Sequence, residues 1–70
     1  MMPLTLANIG EETMVRRGGG SPEMKKHLED MGFAVGQSVT IVSTIARNLI
    51  VKVKESRVAL RREMAGKIMV

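Results

Sequence analysis

Few residues in this chain of 70 have the types and spacing that chemistry requires. His27 is the single histidine and no cysteine is present, which excludes disulfides, thiolate metal sites and Cys–His catalysis. A zinc site normally takes three or four protein ligands, more than a lone histidine can anchor. Glu23, His27 and Asp30 fall three and four residues apart, a spacing that shares one face of a helix. They are the candidates for a metal such as iron, and two or three exposed ligands on one helix bind weakly. As a general base His27 is poorly set, flanked by Lys26 and Leu28 at the margin of an apolar stripe. The carboxylate pairs Glu11-Glu12 and Glu29-Asp30 are neighbours in sequence, and neighbouring side chains in a strand or helix diverge. Gly18-Gly19-Gly20 invites comparison with phosphate-binding loops, but those close on Gly-Lys-Ser/Thr, and here Ser21-Pro22 follows. No catalytic residue and no cofactor is expected, and the chain reads as a non-enzyme.

Charge and aromatic content narrow the remaining classes. Eleven Lys and Arg against seven Asp and Glu give a net charge of +4. That balance suits an acidic protein partner, an anionic membrane surface or nucleic acid. The cations are dispersed as Arg16-Arg17, Lys25-Lys26 and Arg61-Arg62, a pattern that a solvated surface also produces. Phe33 is the only aromatic residue. Grooves for proline-rich peptides and platforms for single-stranded nucleic acid are both lined by aromatics, so neither function fits. Charge alone supports only weak, salt-sensitive phosphate contact. Nucleic acid is therefore not the expected partner, and protein–protein interaction is left by elimination.

The elements that must position these residues are written locally. Leu4-Thr5-Leu6 reads as a short extended segment after Pro3, and Glu12 to Arg17 as a strand ended by the glycine loop. Ser21 is a good N-cap, Pro22 suits the first helical position, and Glu23 complements the helix dipole. A helix over about 22–31 follows, with Met24, Leu28 and Met31 forming one apolar stripe. Gly32 suits the left-handed residue that ends a helix, with Phe33 folding back on Leu28. Gly36-Gln37 turns into a β-branched strand, Val39 to Ser43. Ala46-Arg47-Asn48 is the expected hairpin loop, with Asn48 taking any positive φ. Leu49, Val51 and Val53 then face in while Lys52 and Lys54 face out. Glu55-Ser56 is the expected tight turn into Arg57-Val58-Ala59-Leu60. A short helical turn near 61–65 and a terminal strand from Lys67 to Val70 complete the chain.

The fold class is thus mainly β (α+β), with five to six short antiparallel strands and one inserted helix. Such strands expose edges, and curling into a small SH3-like barrel is the natural way to manage them. A single domain over 1–70 is expected, with seven methionines filling a core that has little aromatic volume. No apolar leader and no run of about 18 apolar residues is visible, so a cytoplasmic location is expected.

The pattern Leu28, Met31-Gly32-Phe33, Gly36, Val39, Ile41-Val42 resembles the bacterial ferrous-iron transport protein A (FeoA) family. Pro3-Leu4-Thr5-Leu6-Ala7, Ile9-Gly10, Asn48-Leu49-Ile50-Val51, Arg57 to Leu60 and Ala65 to Val70 continue it, so the likeness spans essentially the whole chain. Two loops depart from the family pattern: Ala46-Arg47-Asn48 lacks its frequent glycines, and Gly18-Gly19-Gly20 is richer in glycine. The resemblance implies an SH3-like fold and an accessory role in ferrous-iron uptake. The implied partner is the system's membrane permease, FeoB, through its cytosolic GTP-binding region, with the membrane reached only through it. The same barrel resembles the C-terminal domain of iron-dependent repressors, which supplies the alternative of a metal-sensing or nucleic-acid-associated module. Arg16, Arg17, Lys25, Lys26 and Arg47 are the candidates for contact with an acidic partner, and Met24 for an apolar anchor. Arg47 also invites an arginine-finger role, against the plainer reading of an exposed loop arginine. A monomer or a weak homo-oligomer is expected.

Overall fold

In the computed structural model, which describes residues 1–70, helix α1 spans Pro22–Asp30 and begins where its local chemistry dictates. The extended Ser21 accepts the Met24 amide on its hydroxyl at 3.2 Å, and Pro22 takes the first helical position. Ser21→Ala strands that amide and is expected to cost about 1 kcal/mol, read as a lower midpoint of thermal unfolding. At the other end Gly32 adopts φ 102°. The Phe33 amide donates to the Leu28 carbonyl and the Gly32 amide to that of Glu29, both at 2.9 Å. These are the paired bonds of a Schellman ending. Leu28 and Phe33 both enter the core, while Met24 and Met31 are half-buried against it.

The strands are β1 (Glu12–Met14), β2 (Arg17–Gly18), β3 (Ser38–Ile45), β4 (Asn48–Val53), β5 (Ser56–Arg61) and β6 (Ile68–Met69). A four-stranded antiparallel sheet has the order β1-β3-β4-β5, and β2 pairs with β6 in a second, two-stranded one. The strand expected over Glu12 to Arg17 is therefore divided. Val15 is the joint: its amide donates to the Gln37 carbonyl and its own carbonyl accepts from Gly36. The next amide, Arg16, turns away to the carbonyl of Met69 at 2.8 Å. Burying Val15 completely while serving two sheets forces this bend.

Leu4–Leu6 forms a 3-10 turn, not the expected extended segment. Pro3 bridges to Met69, and Met2 and Val70 exchange both backbone bonds, so the chain is already committed to the terminal strand. Turning at once sends Leu4 into the core. Two hairpin turns also shift by a residue. Ile45 pairs with Asn48, leaving Ala46-Arg47 as the turn, and Ala46 instead of Asn48 takes the positive φ of 52°. Val53 pairs with Ser56, so the second turn is Lys54-Glu55, with Lys54 at φ 57°.

Register explains both. Leu49, Val51 and Val53 must stay on the buried face, and a slip of one residue would turn all three to solvent. A bulge at Val42, where pairing jumps from Ile41 to Ser43, adds the bend that a curled sheet needs. The short helix α2 (Arg62–Ala65) spans from β5 to β6 and packs against β4, β5 and the N-terminal turn. The enclosed core holds 13 residues, all apolar, with no buried polar or charged side chain.

Candidate interaction surface

With an interior of hydrocarbon alone, any chemistry has to occur on the outside. No group of three or more His, Cys, Asp or Glu is placed to hold a metal ion. Glu23, His27 and Asp30 lie exposed along α1, a nine-residue helix.

The cationic candidates fall into separate places. Arg16 and Arg17 are exposed where the chain crosses from one sheet to the other. Lys25 reaches back toward them: its Cγ lies 4.0 Å from where a Gly18 Cβ would stand. Lys67, which sequence reasoning passed over, lays its Cδ 3.6 Å from the corresponding point at Gly20. Arg17, Lys25 and Lys67 thus frame the glycine loop. Met24 fills the same corner, with its Cβ and Cγ 3.5 Å from that point, and belongs partly to the core. Lys26 is exposed on α1 and borders no depression.

Arg47 stands elsewhere, at the tip of the β3–β4 hairpin. There it lines an open depression of about 490 Å³ with Ala46, Asn48, Arg61 and Glu63. Pairing builds this site: Asn48 lies opposite Arg61, and the Arg62 amide donates to the Arg47 carbonyl at 2.9 Å. The sequence shows Arg61 only as half of a dispersed charge pair. The signal that brings it beside Arg47 is the hairpin register, which a turn placed one residue too long conceals. Two guanidinium groups beside one carboxylate leave this rim cationic, suited to a carboxylate or phosphate.

A family model described as the FeoA domain matches residues 2–70. The chain belongs to the FeoA domain family. A relative from Methanocaldococcus jannaschii, named as an Fe(2+) transport protein A, is 31% identical over all of this chain and 85% of its own length. Among solved structures, a FeoA described as an iron uptake regulatory protein superposes with a TM-score of 0.86 at 22% identity, covering 96% of this chain and 91% of that one. The zinc-complexed FeoA of Stenotrophomonas maltophilia, described as a prokaryotic SH3 domain protein, gives a TM-score of 0.82 at 23% identity, over 99% and 88%. The barrel of this FeoA-family chain is accordingly SH3-like.

Proposed function

We propose that this chain is an accessory protein of a ferrous-iron uptake system. Its cationic exterior docks on the cytosolic GTP-binding region of the system's membrane permease, FeoB, and adjusts transport or nucleotide turnover. What carries the reading is the family match over residues 2–70 on a barrel whose interior offers no polar side chain. No helix is long and apolar enough to cross a membrane, so on this reading the membrane is reached through the permease.

The hairpin rim is the favoured contact, because Arg47 and Arg61 line one depression there while Arg16, Arg17 and Lys25 lie exposed elsewhere, about the glycine loop. A pull-down with the permease's cytosolic region at low salt is expected to retain this chain. Arg47→Glu together with Arg61→Glu is expected to weaken retention by about tenfold or more, since charge reversal leaves like charges facing the partner. Recovery of nothing at low salt would count against docking. Tight, salt-resistant binding to duplex DNA would favour the nucleic-acid-associated module instead.

A further inference from the structure

Strand β5 ends its sheet: it pairs with β4 on one side and with no strand on the other. Which of its backbone groups face that open side follows from two observations. Ser56 and Val53 close a two-residue turn. At the far end the Arg62 amide bonds to the Arg47 carbonyl, which marks the enclosed Asn48–Arg61 pair as one without direct hydrogen bonds. Alternation then gives Ser56, Val58 and Leu60 to the β4 ladder and turns the N–H groups of Arg57, Ala59 and Arg61 outward, with the carbonyls of Arg57 and Ala59, while the carbonyl of Arg61, the N-cap of α2, opens that helix. None of these three takes part in any backbone bond outside the regular elements, nor in any of the side-chain bonds. Their side chains are exposed, whereas Val58 is half-buried and Leu60 fully buried.

The charges on the exposed face of this edge are cationic, with carboxylates only at its two ends, Glu55 in the preceding turn and Glu63 on α2. Lys52 lies directly opposite Arg57 across the β4–β5 ladder, and like charges so placed repel. Arg61 stands at the other end beside Arg47. Glu63 shares the hairpin depression with these two arginines. A second copy of the chain is a poor occupant. Antiparallel self-pairing centred on Ala59 would set Arg57 of each copy against Arg61 of the other.

We propose that the open edge of β5 is a docking site for an extended acidic peptide segment, which adds to the sheet as a further strand. Its backbone pairs with Arg57, Ala59 and the amide of Arg61, and its carboxylates fall on the face of Lys52, Arg57 and Arg61. Backbone pairing supplies affinity in such additions, and alternate side chains supply selectivity. The edge is defined by this chain's own backbone, so its function here does not depend on which protein supplies the segment.

The probe is a blocked synthetic peptide of alternating Glu and Val, added to the full chain and followed by amide NMR and hydrogen exchange. In the free protein the amides of Arg57, Ala59 and Arg61 are expected to exchange freely, while those of Val58 and Leu60 are protected. Peptide is expected to protect the three outward amides by about tenfold or more, and Arg57→Glu with Arg61→Glu to weaken binding about tenfold. Ala59→Pro, which deletes an outward N–H that the β4 ladder does not use, is also expected to abolish the protection. An alternating Lys and Val peptide, or the acidic peptide with its pairing amides methylated, is expected not to bind. Equal binding of either control, or protection that avoids these three amides, would overturn the assignment. So would outward amides that become protected with protein concentration alone, the mark of a second copy on the edge.

Discussion

Phe33→Ala is expected to remove about 3–5 kcal/mol of unfolding free energy, the usual loss for emptying a buried aromatic site. Phe33 is the one aromatic side chain of the molecule and is 1% exposed. It also closes α1, through its amide bond to the Leu28 carbonyl. A domain of this size commands about 4–10 kcal/mol in total, so the variant is expected to lie near the threshold of folding. In a thermal scan a loss of 3 kcal/mol corresponds to a fall of about 12–24 °C. Leu28→Ala, at the other end of the same contact, is expected to cost about 2–5 kcal/mol. The double variant is expected to lose less than the sum, by about 0.5–3 kcal/mol, because both side chains serve one helix ending. Strict additivity would show that the two positions act independently.

Gly19→Ala is expected to open the barrel at its seam. A Cβ at Gly19 would stand 2.9 Å from the Lys67 carbonyl oxygen, a backbone atom that cannot swing aside as a side-chain tip can. The Gly19 amide donates to that same oxygen at 2.7 Å. Relieving the clash therefore lengthens the bond that extends the pairing of β2 with β6, a ladder of only two residue pairs. Strain and the weakened bond together are expected to cost about 2–4 kcal/mol. Hydrogen exchange localises the effect: the amides of Arg16, Gly19 and Val70 are expected to lose protection before those of β3 and β4. Gly18→Ala is the internal control. A Cβ there meets Lys25 and Leu28 at 4.0 Å, ordinary contact, and the change is expected to be nearly neutral. If both alanines were equally tolerated, the seam would not be the close approach described.

These two positions differ in how far they could be read in advance. The Gly32-Phe33 ending was legible, because a left-handed glycine followed by an apolar residue after a helical stripe has one local solution. Gly19 was not. Within the triplet, Gly20 has the positive φ of 92° that a flexible loop suggests, but Gly19 is required by an approach from Lys67, 48 residues further along. The interaction surface divides the same way. Arg16, Arg17, Lys25, Lys26 and Arg47 could be picked out as exposed cations from composition and loop position. Their grouping could not, because it depends on which strands meet. Lys67 joins the glycine loop through the β2–β6 pairing, and Arg61 joins Arg47 through the β4–β5 register.

The sequence alone determined what neighbouring residues decide among themselves. Ser21-Pro22 starts α1 and Gly32 stops it, and the alternation from Leu49 to Val53 selects the buried face of β4. It also determined that the interior would be apolar and, with no cysteine, that no disulfide could form. Tertiary structure decided where each strand breaks and which turns carry the cost. Ala46 and Lys54 accept positive φ against their own preference because keeping the inward rows of β3, β4 and β5 aligned outweighs about 1 kcal/mol of local strain at each. Only the assembled barrel divides Glu12 to Arg17 between two sheets and leaves β5 with an unpaired edge. Those outcomes rest on pairing between segments distant in the chain, whose energies no local stretch of residues contains.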